Sequence, residues 1–490
     1  MKYATVKASP VFGNKISKMD APAAKAMKGV HKVVELDGAV AVVADGYWIA
    51  KQALNKLKVE FTSNEKNEVS QETLFAQFGQ AMDDAVAKGE QEIDLETGEP
   101  EEALKSAAKV IEAEYKVPYL AHAAMEPMNC TAWLHDGICE IWTGTQNPLG
   151  VVGMVTELLE MDAENVKVHN QFLGGGFGRR AENDAIKQAV LVAKEVDYPV
   201  KLIWSREEDM QQDFYREATV SRFKGGLDAE GKASVWVNQF LYKYHPEEAS
   251  IIPYDIKNQF VHYADSKTHI PWGNWRSVAH STHGFFIESF IDEMANAQEK
   301  DPFEFRRELL AHDPRYLKVL ETVAEKADWE KELPKNWGKG IAIHKSFGTI
   351  VAEVAEVEVQ ENGKVRVHKV VCVADPGLAV HPDGFKAQIE SGVIYGLTAA
   401  MYGEISIKDG AVAQSNFHDY QMIRMNEAPD IDVHIINSGA FPGGAGEPGT
   451  PAIAPAVTNA IFDATGTRIR ELPINLQNLS LENRQLSSNE

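Results

Sequence analysis

The chain has 490 residues, 44% of them hydrophobic, which is enough for several domains or for one large two-lobed unit. Its 72 acidic residues outnumber its 49 basic residues, giving a formal charge of −23. This charge argues against nucleic acid and anionic membrane surfaces as partners, because both require a basic face.

The sequence contains only three cysteines, Cys130, Cys139 and Cys372, and no CxxC pair. We therefore expect that the chain itself holds no cysteine-ligated iron–sulfur cluster. The thiols are expected to be buried and free, although a bridge between Cys130 and Cys139 stays open. The absence of a signal-like segment and of a long apolar run predicts a soluble chain, cytoplasmic unless it is exported with a signal-bearing partner.

Residues 2–61 show alternating strand and helix patterns that predict a small β-α-β-β-α-β unit. The expected strands and helices are Tyr3–Ala8, Ala21–Met27, Val30–Leu36, Ala39–Ala44, Trp48–Leu57 and Lys58–Phe61. Residues 62–105 are acidic and polar, with one amphipathic stretch at Glu72–Val86 and a predicted surface loop at Asp94–Glu102.

A larger unit is predicted from about residue 107, and a second lobe from about residue 338. The main expected elements are strands at 109–116, 129–142, 165–170, 218–242 and 339–374, and helices at 148–159, 182–195, 281–298, 384–400 and 452–465. We therefore divide the chain into residues 1–65, an acidic connecting segment 66–106, a first lobe 107–335 and a second lobe 336–490.

A glycine-rich loop runs from Phe172 to Arg180 and includes Gly175, Gly176, Phe177 and Gly178. It follows a predicted strand and precedes a helix, a position that suits an anion on backbone N–H groups. Its spacing fits neither the Rossmann nor the P-loop motif. Phe177 is unusual for a phosphate loop and suits the wall of a flat substrate. An ordinary tight turn is the alternative.

Three further polar residues are candidates for a site. Gln146 ends a strand and either caps the next helix or donates to a ligand. Arg276 lies beside tryptophans and suits a phosphate or carboxylate, or else stacks at the surface. Gln388 lies near a helix start and by itself indicates little. His122 is expected to be a satisfied core histidine rather than a metal ligand.

Glu447 is the only ionisable residue in the segment from Phe441 to Pro451. The glycines around it, including Gly446, allow the backbone to approach a bound molecule closely. Pro448 keeps Glu447 out of the helical region, so its carboxylate is predicted to stand on a stiff turn. A general base and an incidental acid at a capped helix start are both compatible with this segment.

Taken together, the segments resemble the large, molybdenum-cofactor-binding subunit of the xanthine dehydrogenase and aldehyde oxidase family, in the branch of isoquinoline 1-oxidoreductase beta subunits and bacterial aldehyde dehydrogenases. The segments that carry this resemblance are Met125–Ala132, Gly144–Asn147, Gly174–Arg179, Trp275–Val278, Glu288–Glu293 and Gly446–Gly449. The resemblance implies an α+β fold, with a small α/β hammerhead domain at residues 1–65 and a two-lobed molybdopterin-binding domain.

The resemblance also implies an activity and the residues that perform it. The activity is oxidative hydroxylation of an aldehyde or an N-heteroaromatic carbon, with water as the oxygen source. Glu447 would be the catalytic base that deprotonates a metal-bound hydroxide, and Gln146 would contact the apical oxo ligand. Phe177 would lie against the substrate. The residues implied to bind the cofactor are Gln146, Gly175, Gly176, Phe177, Gly178, Arg276, Gln388 and Gly446.

The cofactor implied for this branch is molybdopterin cytosine dinucleotide, and the substrate is a small molecule. A [2Fe-2S] cluster is expected only on a partner subunit, with a cytochrome c as a possible further acceptor. The family's Met-Gly-Gln-Gly and Ser/Thr segments are missing here, so a second chain or an N-terminal fragment is expected to supply them. Arg179, Arg180 and Ala181 replace the glutamate of many purine oxidisers, which argues against a purine.

Two hypotheses of different classes follow from the sequence. The chain is either the catalytic subunit of a molybdenum hydroxylase or a non-catalytic homologue that acts as a scaffold or binding subunit. The presence of Glu447, Gln146 and Phe177 favours the catalytic subunit. A flavin or nicotinamide oxidoreductase is a weaker alternative, because no dinucleotide fingerprint follows any predicted strand.

Overall fold

The structure, a computed structural model, describes residues 1–474 and arranges their strands in three large sheets and two small ribbons. The strands in chain order are β1 (Lys2–Ala8), β2 (Ile16–Asp20), β3 (Val30–Leu36), β4 (Ala39–Ala44), β5 (Lys58–Phe61), β6 (Glu92–Thr97), β7 (Lys109–Val117), β8 (Asn129–His135), β9 (Ile138–Thr143), β10 (Val166–Asn170), β11 (Val200–Ile203), β12 (Thr219–Leu227), β13 (Ala233–Leu241), β14 (Asn258–Ala264), β15 (Trp337–Ser346), β16 (Thr349–Val359), β17 (Val365–Asp375), β18 (Ile407–Lys408), β19 (Ala411–Val412) and β20 (Asp430–Ile435).

The helices lie between these strands and cover the sheets, so the molecule is a mixed α/β protein. The helices in chain order are α1 (Pro22–Lys25), α2 (Tyr47–Lys56), α3 (Gln71–Lys88), α4 (Pro100–Ser106), α5 (Pro148–Leu159), α6 (Asp184–Lys194), α7 (Arg206–Gln211), α8 (His280–Ala297), α9 (Pro302–Leu309), α10 (Pro314–Lys326), α11 (Pro382–Met401) and α12 (Ile453–Thr465). Within residues 1–474, none of them is long and apolar enough to span a membrane.

The first strands of the chain pair directly with strands much further along it. β1 pairs in parallel with β11 and antiparallel with β4, so Ala4 lies between Leu202 and Val43. The resulting seven-stranded sheet has the order β10-β9-β8-β11-β1-β4-β3. β4 is buried along its whole length, as expected for an interior strand covered on both faces. The hydrogen-bonded sheet thus crosses the domain boundary that the sequence predicts at residue 65. This domain boundary stays a prediction.

Helix α8 joins the two other sheets into one core. It packs on β7 and β12 of the five-stranded sheet β6-β14-β13-β12-β7, and on β15 of the four-stranded sheet β15-β16-β17-β20. Every residue from His280 to Ala295 is buried. One continuous apolar cluster therefore runs from Phe223 through Phe290 to Ile343. This core fixes the start of α8, which directly follows the segment that contains Arg276.

Helix α12 lies unusually close to β15. A Cβ atom at Gly338 would lie 2.2 Å from the Ala460 carbonyl, and one at Gly340 would lie 2.2 Å from the Ala456 carbonyl. Only glycine permits this contact between helix backbone and strand backbone. Because α12 follows Glu447 by a few residues, the contact also fixes the end of the loop that carries this glutamate.

Most predicted elements are confirmed, but one predicted loop differs, and several observed strands, among them β2, β11, β14 and β20, were not predicted. β2 was not predicted; it pairs with β5 in a two-stranded ribbon whose residues are all at least partly exposed, so its sequence has no strong apolar alternation. The surface loop predicted at Asp94–Glu102 is wrong in part, because β6 and α4 occupy most of it. β6 is the edge strand next to β14, and its polar composition is typical of an exposed edge.

Candidate active site

One cavity of about 550 Å³ brings most of the predicted site residues together, and its volume lies in the range of small-molecule sites. The lining residues are Gln146, Phe177, Gly178, Ala181, His245, Asn274, Trp275, Arg276, Val278, Phe347, Gln388, Ser391, Gly446 and Glu447. They come from loops that precede α5, α6, α8 and α12, from the loop between β13 and β14, from the turn between β15 and β16, and from α11. Gly175 and Gly176 lie in the same loop as Phe177 but not in the lining.

The Glu447 carboxylate is held by a neighbouring loop through Ser277. The Ser277 backbone N–H donates to Glu447 Oε1 at 3.0 Å, and its hydroxyl donates to the Glu447 carbonyl at 2.7 Å. The Thr450 N–H donates to the same carbonyl at 3.0 Å. Glu447 Oε2 has no hydrogen-bond partner within residues 1–474, so it is available to a molecule in the cavity.

Ser277, which holds Glu447, and its neighbour Val278 have strained backbones. Ser277 has a φ of 76° and Val278 a φ of 44°, so two consecutive non-glycine residues lie in the left-handed region. Such a conformation costs on the order of 1–3 kcal/mol for each residue and persists only where the surroundings impose it. Ser277 is fully buried, and the Val278 N–H donates to the Trp275 carbonyl at 2.6 Å. This strain lies directly at the cavity wall.

Arg276 joins the Glu447 loop to α11. Its Nε donates to the Gly446 carbonyl at 2.8 Å, and its Nη1 donates to Ser391 Oγ at 3.0 Å. Its Nη2 donates to the Gly446 carbonyl and, at 3.2 Å, to Gln388 Oε1 and the Gln388 carbonyl. Arg276 is 6% exposed, so the alternative of a surface arginine is wrong. Its guanidinium is largely satisfied by this chain's own oxygens.

The glycine-rich loop rests directly on the segment that precedes α8. Gly175, Phe177 and Gly178 have φ angles of 100°, 56° and 108°. A Cβ atom at Gly178 would lie 1.6 Å from the Asn274 carbonyl oxygen, so no other residue fits there without moving the backbone. Gln146 Oε1 accepts the Gly178 N–H at 3.2 Å. The two loops therefore hold each other in place.

Both loops present unpaired backbone donors at or beside the cavity. The N–H groups of Gly175, Gly176 and Phe177 find no acceptor in the described part of the chain, nor do those of Ala445, Gly446 and Glu447. The Gln146 Nε2 amide is likewise without an acceptor there. Consecutive free N–H groups in a loop with positive φ form a concave site for oxygen ligands. This set of donors fits a cofactor rich in oxo, sulfur and phosphate groups.

Phe177 belongs to a stack of three aromatic rings. Its ring centroid lies 4.7 Å from that of Tyr395, which in turn lies 4.7 Å from that of Trp275, with interplanar angles of 20° and 25°. The Tyr395 hydroxyl donates to the His122 carbonyl at 3.1 Å. Tyr395 lies on α11, so the stack fixes the Phe177 ring from behind.

His122 is a satisfied core histidine, as expected. Its Nδ1 lies 2.9 Å from Asp213 Oδ1, and its Nε2 lies 2.6 Å from the Asn274 carbonyl oxygen. Asn274 Oδ1 accepts hydrogen bonds from the Tyr244 hydroxyl at 2.9 Å and from His245 Nε2 at 2.7 Å. Asn274 therefore links the buried pair of Asp213 and His122, through its carbonyl, to the exposed His245 ring, through its side chain.

The two arginines after the glycine-rich loop do not face the cavity. Arg179 is 2% exposed and donates to both oxygens of Asp184 at 2.9 and 2.8 Å. Arg180 is 1% exposed and donates to Glu126 Oε2 at 2.8 Å. Only Ala181 of this segment lines the cavity. The arginines stabilise the loop and leave the adjacent wall small and uncharged.

Several lining residues were not singled out in the sequence. His245, Phe347 and Ser391 lie on separate loops and on α11, and no local pattern identifies them. Asn274 and Ser277 flank the Trp275–Arg276 pair, and their position in that segment was the only available signal. Their roles depend on contacts with residues far along the chain, which a local motif does not contain.

Two models of the molybdopterin cofactor-binding domain match the chain, at residues 82–310 and 289–429. Together they cover the loops that carry Gln146, Phe177, Arg276 and Gln388. In overall fold the chain is similar to quinoline 2-oxidoreductase from Pseudomonas putida 86, with a TM-score of 0.82 and 15% identity, over 100% of this chain and 94% of that one.

Three curated proteins are similar over nearly the whole chain. They are the beta subunit of the isoquinoline 1-oxidoreductase of Brevundimonas diminuta (28% identity, 97% of this chain, 64% of that protein), the membrane-bound aldehyde dehydrogenase [pyrroloquinoline-quinone] of Gluconacetobacter polyoxogenes (30%, 97% and 68%) and a nicotinate dehydrogenase subunit of Pseudomonas putida (29%, 96% and 43%). The chain thus spans less than two thirds of the length of two of these relatives. It belongs to the xanthine dehydrogenase and aldehyde oxidase family of molybdenum-cofactor-binding large subunits.

Proposed function

We propose that this chain is the catalytic large subunit of a molybdenum hydroxylase that oxidises an aldehyde or an N-heteroaromatic carbon. The observation that carries the proposal is the position of Glu447. Its carboxylate lines a cavity bounded by two loops with unpaired N–H donors, and its Oε2 is free within the described residues. A scaffold protein would have no need for a strained backbone that holds a carboxylate in a cavity.

The chemistry assigned to Glu447 is general base catalysis. Its Oε2 accepts a proton from the water whose oxygen becomes bonded to the substrate carbon, where a C–O bond replaces a C–H bond. Ser277 holds the other oxygen, Oε1, so the carboxylate does not rotate away from the cavity. When bound, the molybdenum cofactor supplies the oxidant that takes two electrons from the substrate carbon.

The remaining lining residues divide between cofactor and substrate. Gln146 would donate its free Nε2 to an oxygen ligand of the metal, with the N–H groups of Gly175 and Gly176 nearby. The Phe177 ring would contact a flat substrate, since its other face is already stacked on Tyr395. We propose molybdopterin cytosine dinucleotide as the form of the cofactor, as in the branch that the chain resembles.

The electrons require partners. The three cysteines Cys130, Cys139 and Cys372 are buried and free, and burial raises the pKa of the Cys139 thiol to about 11, so none is a ready ligand for a cluster. We therefore propose a [2Fe-2S] subunit as the immediate acceptor, with a cytochrome c as a further acceptor. A second chain or an N-terminal fragment would supply the Met-Gly-Gln-Gly and Ser/Thr segments that grip the dinucleotide.

The test is Glu447→Gln in the complete complex. We expect turnover to fall by about 10²–10⁴-fold or more, because the amide cannot accept the proton. Molybdenum content and the thermal midpoint are expected to stay unchanged, because the amide oxygen still accepts the Ser277 N–H. The measurements are dye-linked oxidation of an aldehyde or an N-heterocycle and metal analysis of the same sample.

The matched control is Glu390→Gln, an exposed glutamate on α11 near the cavity that should leave turnover unchanged. A Glu447→Gln complex with nearly normal kcat would overturn the role of Glu447. A wild-type complex that carries no molybdenum would overturn the proposed function as a whole.

A further inference from the structure

Within residues 1–474, the cavity lining offers no free lysine or arginine to an anionic substrate. Arg276 is the only lysine or arginine among the described lining residues, and it already donates to Gly446, Ser391 and Gln388. Burial lowers the pKa of its guanidinium, which shows that its charge is poorly solvated. An incoming carboxylate could pair with Arg276 only by breaking the contacts that hold the Glu447 loop.

A carboxylate is the charged group that the cavity presents to a substrate. Glu447 lines the cavity, and Glu182 lies near Gly273, next to the lining residue Asn274. The nearby Arg179 is paired with Asp184 and Asp213. An anionic group on the substrate would therefore lie close to the Glu447 carboxylate and find no free side-chain cation among the described lining residues.

His245 is a lining side chain whose ring is held in a fixed orientation and keeps one nitrogen free as an acceptor. Its Nε2 donates to Asn274 Oδ1, which also accepts the Tyr244 hydroxyl. In the neutral ring, Nδ1 is then an acceptor, and it has no partner in the part of the chain that the structure describes. Because Asn274 is fixed by His122 and by the close contact with Gly178, His245 presents this acceptor at a defined place.

We propose that the site selects uncharged substrates and that His245 determines this specificity by accepting a hydrogen bond from a hydroxyl or N–H group of the substrate. The proposal rests on the proposed function and narrows its substrate class. It sets this chain apart from its relative nicotinate dehydrogenase, whose named substrate is a carboxylate.

The first test compares three probes with the purified complex and a dye acceptor: benzaldehyde, 3-hydroxybenzaldehyde and 3-carboxybenzaldehyde. We expect kcat/KM to be highest for the hydroxy probe and at least about tenfold lower for the carboxy probe than for benzaldehyde. His245→Phe keeps a ring but removes the acceptor, so it should abolish the advantage of the hydroxy probe. His245→Arg adds a cation at an exposed position and should narrow the discrimination against the carboxy probe.

The second test measures binding without turnover. The dissociation constants of benzamide and benzoate for the same complex are compared by ligand-observed NMR, and benzamide is expected to bind at least about tenfold more tightly. Equal or tighter binding of benzoate overturns the inference. So does a His245→Arg complex in which the ratio of kcat/KM for benzaldehyde to kcat/KM for 3-carboxybenzaldehyde is unchanged. Failure of a molybdenum-loaded complex to oxidise any probe counts against the proposed function, whereas the benzamide–benzoate comparison still decides the charge preference.

Discussion

Ser277 shows how a single buried residue controls the catalytic group. Its backbone N–H and its hydroxyl contact two different atoms of Glu447, and its φ of 76° is what directs both donors to the same residue. A serine without this backbone conformation could not make both contacts. The strain is therefore tied to the position of the carboxylate, and we regard Ser277 as a positioning residue.

We predict that Ser277→Ala and Ser277→Gly both lower kcat by about three- to tenfold with little change in KM, because each removes one hydrogen bond of about 0.5–1.5 kcal/mol. Glycine accepts the positive φ without strain, so the Gly variant should keep the wild-type thermal midpoint. Ser234→Ala is the control, since this serine makes a similar bond to the Gly226 carbonyl in a distant hairpin. Normal kcat in Ser277→Gly would show that the hydroxyl does not position Glu447.

At the scale of elements, α8 explains why the segment Glu288–Glu293 carries charges inside the core. Glu288 accepts hydrogen bonds from Arg306 Nε at 3.0 Å and from the Tyr254 hydroxyl at 2.6 Å. Glu293 accepts the Tyr115 hydroxyl at 2.6 Å. A helix buried on all sides between two sheets keeps its acidic residues only where each has a partner. These residues thus hold α8 in place and do not reach the cavity.

Strand β16 contains a buried acid without such partners. Glu353 is fully buried and has no ion-pair partner within residues 1–474; it lies opposite Cys372 on β17, whose thiol interacts with the carboxyl. Burial raises the pKa of Glu353 well above its usual value of 4.5. The folded protein therefore keeps this proton over a pH range in which the unfolded chain has lost it. Stability is present below the unfolded pKa and falls as the pH rises above it.

We predict that Glu353→Gln weakens this pH dependence. Between pH 5 and pH 8, the free energy of unfolding of the variant should rise relative to wild type, by at most about 1.4 kcal/mol per pH unit. The measurement is the midpoint of urea unfolding at several pH values. Glu356→Gln, at a half-exposed position on the same strand, should leave the pH dependence of the free energy of unfolding unchanged. If the free energy of unfolding changes with pH in the same way in Glu353→Gln and in wild type, the Glu353 carboxyl is ionised in the folded protein.

At the scale of the whole molecule, apolar side chains are exposed close to the catalytic loop. Phe441 is 92% exposed, Val380 83% and Leu378 52%. Their two loops are joined by hydrogen bonds, including that from the Gly439 N–H to the Gly377 carbonyl at 3.0 Å, and the Phe441 loop leads directly to Glu447. Large exposed apolar side chains in one place are typical of an interaction surface. They support the proposal that another polypeptide packs near Glu447.

We predict that the complex depends on this surface. The double variant Phe441→Ser, Val380→Ser should lower the amount of partner that co-purifies, whether this is the [2Fe-2S] subunit or the chain with the missing cofactor-binding segments. The molybdenum content should fall with it, while the thermal midpoint of this chain stays unchanged. Trp48→Ser on α2, which removes another exposed apolar side chain at 67% exposure, is the control. If residues 1–490 alone bind the cofactor and oxidise an aldehyde, the requirement for a partner is wrong.

The sequence by itself determined most of the longer helices and strands, because these depend on local apolar periodicity and turn residues. The family and the choice of Glu447 as the candidate base came from the resemblance, which is carried by segments such as Gly174–Arg179 and Gly446–Gly449. Helix α5 was predicted with its observed bounds, Pro148–Leu159. Only the tertiary structure decided that Arg276 donates to the Gly446 carbonyl, that Ser277 holds Glu447 and that His245 lines the cavity. These contacts join residues more than a hundred positions apart or on separate loops, and their geometry arises only when α8 and α12 pack into one core.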